Sequence, residues 1–250
     1  MKILALIPAR GGSKSIPKKN IALLGEYPLL AYSIAAAKQS KLINRIIVTT
    51  DDLEIATISK TFQAEAPFLR PTGIAKDSSL DAEFFIHALE WLEKNEGYIP
   101  DLIVNLRPTT PLRDYVVIDD AIMKIINDRK ATSLRSAHIF EDTGYKLFTI
   151  KNNYCYFFGK EDFKNDESHI LPRQILPATY KPNGYVDVII PKKFKEDRVL
   201  YGKNIYPFIT EKTIDIDSPN DLNQVRKILK SPIASALIHK IKELENSNIK

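Results

Sequence analysis

The sequence predicts an α/β protein: a doubly wound, mostly parallel sheet covered by helices on both faces, with a β-rich arm inserted in its second half. Three observations carry that expectation. Short apolar runs alternate with longer segments of helical period through roughly the first 130 residues, the pattern of strands buried on both faces. Beyond that point, strand-like runs follow one another with few helices between them. The residues with chemical potential fall just after the expected strands, where open parallel sheets bind their ligands.

Residues 3–7 (ILALI) form a first, buried strand. Residues 29–37 are apolar and rich in Ala, a helix with Pro28 at its first turn. Residues 46–48 make a second strand ending in Thr49, Thr50 and Asp51, and residues 53–62 a helix. Residues 66–69 read as a short strand closed by Arg70 and Pro71. Phe84, Phe85, Ala88, Leu89 and Leu92 fall at helical spacing within residues 81–93. A strand at 102–106 and a helix at 115–126 complete the alternating part. Strands follow at 131–137, 147–150, 154–158 and 186–190, with a polar excursion at 160–169. The end of the chain reads as a strand end at 213–217, then a helix at 219–229 N-capped by Ser218. From 232 to 250 the chain is helical in its first half. The whole is expected to be one domain, 1–250, with the arm at about 138–182.

At 250 residues and 44% hydrophobic, the chain can bury a sizeable core. The net charge is +5, with 36 basic residues spread along the chain against 31 acidic ones. That balance favours small anionic partners over nucleic acid. Cys155 is the only cysteine, which rules out an internal disulfide and a thiolate metal cluster and fits a reducing compartment. Neither a signal peptide nor a run long enough to span a bilayer is read, so the expectation is a cytoplasmic protein with no membrane partner.

Four stretches carry chemistry. In "IPARGGSKSIPKKN", residues 7–20, glycines follow a strand and Arg10, Lys14, Lys18 and Lys19 surround them. Free amides and cations at a strand end suit phosphate, although the loop matches neither a Walker A pattern nor GxGxxG. A solvated basic turn is the alternative. "LRPTTPLR", residues 106–113, puts two prolines and two threonines after a strand; it is either a site loop or a stiff strand-to-helix connection. "LPRQILPATYKPNGYVDVII" offers Arg173 and Gln174, and an Asn183–Gly184 pair typical of a hairpin turn. Arg173 could grip a carboxylate with both arms of its fork. "IDIDSPNDL" contains Asp215 and Asp217, which would share one face of a strand and suit Mg2+; one capping and one solvated Asp is the alternative. His87 reads as structural, and His138, His169 and His239 lack metal-ligand spacing. Cys155, Tyr27, Tyr32 and the "YCYFF" run are expected in the core. Together the four stretches point to a nucleoside triphosphate, Mg2+ and an acidic second substrate.

The same four stretches, in order, resemble the acylneuraminate cytidylyltransferases. The family reads roughly PARGGSKG-[IL]-P-x-KN, LQPTSPLR, RQxLPxxxxxNGAIYI and DIDTxxDL. This chain has PARGGSKSIPKKN, LRPTTPLR, RQILPATYKPNGYVDVI and DIDSPNDL over roughly residues 1–230. The resemblance implies a Rossmann-like nucleotidyltransferase fold whose inserted arm makes a homodimer. It also implies transfer of CMP from CTP to a nine-carbon 2-keto sugar acid, with Mg2+. By position, Arg10, Gly11, Gly12, Ser13, Lys14, Lys19 and Asn20 would bind the triphosphate, the amides of residues 11–13 included. Arg70 and Asp81 would lie near the cytosine and ribose, and Asn183 would touch CTP. Arg107, Lys146, Arg173, Gln174 and Asp187 would face the sugar, Arg173 and Gln174 from the other subunit. Asp215 and Asp217 would hold the metal and, with Lys19, form the catalytic set.

The chain departs from the family pattern at four places. Ser15 stands for glycine, Arg107 for glutamine, Tyr185 for alanine and Asp187 for tyrosine. The departures beside the sugar site fit a differently decorated substrate, such as a diamino sugar acid of the legionaminic or pseudaminic type. The octulosonate (KDO) branch, with PARYxSTRLPGKPL, is not matched; that activity and a non-catalytic nucleotide-binding protein are the alternatives.

Overall fold

The computed structural model describes residues 1–159 and 168–247. Its strands and helices, in chain order, are β1 (Ile3–Pro8), β2 (Leu23–Leu24), β3 (Tyr27–Pro28), α1 (Leu29–Gln39), β4 (Arg45–Thr49) and α2 (Leu53–Thr61). Then come α3 (Asp81–Glu96), β5 (Leu102–Asn105), α4 (Tyr115–Asn127), β6 (Ser133–Ile139), β7 (Phe148–Lys151) and β8 (Tyr154–Phe157). The chain closes with β9 (Tyr180–Ile189), α5 (Pro191–Asp197), β10 (Ile205–Ile209), α6 (Pro219–Lys227) and α7 (Pro232–Asn246).

Six strands form one sheet in the order β10-β6-β9-β5-β1-β4. β1 pairs in parallel with β4 and β5, and β10 with β6, while β9 runs antiparallel between β5 and β6. Alternation along each strand divides the core. Ile3, Ala5, Ile7, Val104 and Val188 face one layer with α1, α4, α6 and α7. Leu4, Leu6, Ile47, Ile103 and Ile189 face another, packed by Phe84, Phe85, Ala88, Leu89 and Leu92 of α3 and Phe194 of α5. β1 has neighbours on both sides: the chain leaves it for β4 on one side and then crosses back past it to β5 on the other. A crevice therefore opens at the carboxyl ends of β1 and β5.

Several local expectations change. Residues 66–69 do not form a strand: the chain there makes only isolated bridges, Ile47 with Glu65 and Thr50 with Leu69. Residues 213–217 are irregular, with the Ile216 N–H donating to the Thr109 carbonyl at 2.8 Å, instead of a strand end. The Asn183–Gly184 pair makes no hairpin turn. It lies inside β9, with Gly184 at φ +65°, where the register against β6 shifts between Arg135 and Ala137. The hairpin turn is Asn152–Asn153, with both φ positive (50° and 67°), joining β7 to β8 in a separate two-stranded sheet. On that sheet Cys155 is exposed, and so are Tyr154, Tyr156 and Phe158, which corrects their placement in the core; Tyr27 and Tyr32 are buried as expected. Residues 160–167 of the polar excursion lie outside the described residues, and 168–170 form a 3-10 turn. The last helix runs on to Asn246. α5 and β10 have no counterpart in the sequence reading.

Candidate active site

A cleft of about 480 Å³ lies at the carboxyl ends of β1 and β5, within the range of small-molecule sites. The loop after β1 forms one wall. It is stapled from both ends: the Gly11 N–H donates to the Asp51 carboxylate at 2.9 Å, and the Asn20 amide donates to the Arg10 carbonyl at 2.8 Å. A Cβ on Gly11 would fall 2.8 Å from Asp52 Oδ2 and 3.0 Å from Asp52 Cβ. Asp52 cannot retreat freely, because its other oxygen caps α2 through the Glu54 and Ile55 amides. Gly11 is thus a close-approach glycine, whereas Gly12 faces open space. The amide cradle expected across residues 11–13 loses its first member, since Asp51 has taken the Gly11 N–H. Arg10, Ser13, Lys14, Ser15, Lys19 and Asn20 line the cleft; Gly11 and Gly12 do not. Lys18, at φ +48°, turns away to pair with Glu54.

Each cation of the loop that lines the cleft has a carboxylate partner. Arg10 and Lys14 both pair with Asp77, at 2.6 and 2.7 Å. Lys19 donates to the Ile216 carbonyl at 2.8 Å and to Asp217 at 3.0 Å, joining the first loop to the chain before α6. Arg70 lines the far wall. It donates to the Thr49 carbonyl at 2.8 Å and stacks over Phe84, and burial pushes its guanidinium pKa down to about 10.

Arg107 lies where the loop after β5 enters the cleft. Its fork splits, one nitrogen on Asp187 at 2.6 Å and another on Asp81, at the start of α3, at 2.7 Å. Burial works against the guanidinium charge, but Asp187 and Asp81 outweigh it and raise its pKa. Asp187 is 1% exposed; its Oδ2 also accepts from the Tyr201 hydroxyl at 3.1 Å, and its Oδ1 has no hydrogen-bond partner. Two departures from the family pattern, Arg107 and Asp187, are therefore one ion pair. A third, Tyr185, serves the scaffold: its hydroxyl accepts the Asp114 N–H at 2.6 Å at the start of α4.

The other expected site residues lie apart. Asn183 is buried and does not line the cleft; its amide donates to Thr210 Oγ1 at 2.7 Å and accepts from the Tyr185 N–H at 3.2 Å. Lys146, Arg173 and Gln174 are exposed on the segment between β6 and β9, outside the cleft of their own chain. Three residues escaped the sequence reading. Asp77 sits in a loop with no motif. Tyr201 braces Asp187. Arg113, fully buried, donates to the Arg107, Gly184 and Tyr185 carbonyls and to Ser33 Oγ. Its place in "LRPTTPLR" was visible, but nothing marked it as interior.

Asp215 and Asp217 are both exposed and straddle the buried Ile216; Asp217 lines the cleft and Asp215 does not. Among the described residues no group of three or more His, Cys, Asp or Glu could cage a metal. Two open carboxylates next to a phosphate-sized cationic wall fit Mg2+, which takes few protein ligands and completes its shell with water and phosphate. A larger groove of about 980 Å³, between α4, α6 and β10, has Lys212 as the single cation in its lining, whereas the smaller cleft is lined by Arg10, Lys14, Lys19, Arg70, Lys76 and Arg107.

No helix among the described residues is long and apolar enough to cross a membrane. Residues 4–248 match the cytidylyltransferase family. The chain is 31% identical to the pseudaminic acid cytidylyltransferase of Campylobacter jejuni over 92% of its length and 96% of that protein's. It is 28% identical to the CMP-N,N'-diacetyllegionaminic acid synthase of Legionella pneumophila over 92% of its length and 97% of that protein's. Its fold is that of a CMP:2-keto-3-deoxy-manno-octonic acid synthetase solved with CTP, at a TM-score of 0.65 and 16% identity, covering 92% of this chain and 98% of the other.

Proposed function

This chain belongs to the cytidylyltransferase family, and from that premise we propose that it transfers CMP from CTP to the anomeric hydroxyl of a nine-carbon 2-keto sugar acid, releasing pyrophosphate. One observation carries the reading: Arg10, Lys14, Lys19, Arg70 and Arg107 converge on one cleft with Asp217 at its wall. Relatives named for pseudaminic and legionaminic acids support a sugar acid of that kind.

In the proposed reaction the sugar oxygen bonds to the α-phosphorus, the bond from that phosphorus to the bridging oxygen breaks, and pyrophosphate leaves. The hydroxyl proton passes to Asp217. Such transfers need positioning and charge neutralisation more than covalent help. Arg10, Lys14 and Lys19 would hold the triphosphate, with Ser13 and Asn20 beside them. Arg70 and Asp81 would border the nucleoside. Mg2+, held by Asp217 and Asp215 together with the triphosphate, would neutralise phosphate charge and polarise the attacking hydroxyl.

A homodimer and a cytoplasmic location belong to the same proposal. The arm exposes Phe148, Ile150, Tyr154, Tyr156 and Phe158, apolar surface that a second subunit would cover. Arg173 and Gln174 would then serve the neighbouring subunit's cleft and pair with the sugar carboxylate. The test is pyrophosphate release from CTP and Mg2+ across a panel of 2-keto sugar acids. Release with a nonulosonic acid is expected. Release with none, or with 3-deoxy-octulosonate alone, overturns the assignment.

A further inference from the structure

Resting on the proposed triphosphate role of this cleft, we infer that Asp77 is a displaceable counter-anion: it occupies the two loop cations while the cleft is empty and competes with phosphate for them. One carboxylate spans both Arg10 and Lys14, at 2.6 and 2.7 Å, one oxygen on each. The hydrogen bonds from Lys14 and then Arg10 lower the pKa of this carboxylate below its ordinary value. Its loop is closed on itself around it. The Lys76 N–H donates to Ser79 Oγ at 3.0 Å and the Ser79 N–H donates to the Lys76 carbonyl at 3.1 Å. That turn presents Asp77 to the cleft, which Lys76, Asp77 and Ser79 all line.

Exposure of both partners marks the Lys14 half of this pairing, and Arg10 on the other half is 33% exposed. Lys14 is 87% and Asp77 41% exposed, so the contact sits in a watery, well-screened setting and is cheap to break. Arg107 with Asp187 is the opposite case, buried and fixed. A triphosphate carries more charge than one carboxylate and can take both cations at once, so it displaces Asp77. When pyrophosphate is formed, Asp77 competes for the same two cations and favours its departure. Asp77 therefore sets affinity for polyphosphate without touching the reacting atoms, which makes it a positioning residue.

Tripolyphosphate and pyrophosphate, without metal or sugar, probe this directly by calorimetry. Asp77→Asn should bind both about three- to tenfold more tightly than the unaltered protein, the size expected from freeing two solvent-accessible ion pairs. Asp77→Ser, which also removes the charge, should behave alike, and Asp77→Glu should return toward the original affinity. The gap should close as salt rises, since the pairs it reflects are screened. Unchanged or weaker binding in the neutral variants, or no binding by any of the proteins, overturns the inference. The sugar-acid panel fails or succeeds separately. Tightened polyphosphate binding without pyrophosphate release leaves the counter-anion standing and removes the cytidylyltransferase reading, and the converse result removes only the counter-anion.

Discussion

Replacing Arg107 with glutamine removes the cation that, among the described residues, reaches Asp187 at ion-pair distance. The carboxylate is 1% exposed and keeps only the Tyr201 hydroxyl, at 3.1 Å. Taking one partner from a buried pair costs about 3–5 kcal/mol, because the other charge stays uncompensated in a poorly polarisable interior. For a chain of this size about 1 kcal/mol shifts the melting temperature by roughly 2–4 °C, so Arg107→Gln should melt at least roughly 6 °C lower. Asp187→Asn should cost less. Arg107 is 23% exposed and keeps Asp81 at 2.7 Å, so a loss of about 1–2 kcal/mol is expected, in the range for a weakened charged hydrogen bond. The double variant carries neither orphan and should recover at least about 2 kcal/mol of the summed losses, a coupling typical of residues in contact. Thermal unfolding of the four proteins, followed by circular dichroism at one pH and salt, measures the cycle. Losses that add to within about 0.5 kcal/mol would refute the claim that the two residues act as a unit.

Asp217→Asn should lower kcat by orders of magnitude with little change in melting temperature, since the side chain is exposed; activity within about threefold of the original, under about 1 kcal/mol of barrier, would remove its proposed role. Arg173→Ala should raise the KM for the sugar acid more than that for CTP, and equal effects in steady-state assays would count against a carboxylate contact. Gly11→Ala forces a methyl against Asp52, 2.8 Å away, and disturbs the loop. It should cost about 1–3 kcal/mol of stability and raise the KM for CTP, while Gly12→Ala, with open space around it, should match the unaltered protein in both readouts.

What could be read from the sequence follows from how burial writes itself into the chain. β1, β4 and β5 are covered on both faces, so each is an apolar run bounded by polar turns. β10 sits at the sheet edge, with Pro207 and mostly exposed side chains, and leaves no such run. The YCYFF stretch shows the reverse failure: an apolar run exposed on the arm has the same composition as a core strand. Among site residues, Arg10, Lys14 and Lys19 announce themselves because a glycine loop after a strand concentrates their charge. Asp77 does not, because a carboxylate in a short polar loop looks like solvated surface until its two cations are placed beside it.

The distance between Arg107 and Asp187 in the chain hides the most consequential contact. Eighty positions separate them, and they meet because β9 runs antiparallel to β5 with Asn105 opposite Asp187. Taken singly, an extra arginine and an extra aspartate beside a sugar site suggest two new ligand contacts. Taken as a pair, they cancel most of each other's charge, and the group left facing the cleft is the rest of the Arg107 fork, shared with Asp81. A carboxylate-bearing sugar must therefore compete with Asp81 for that guanidinium or be held from elsewhere. Under the proposed function that competition favours Arg173 as the principal carboxylate contact, and Arg107, held in place by Asp187 and by the Arg113 hydrogen bond to its carbonyl, would form one edge of the sugar pocket.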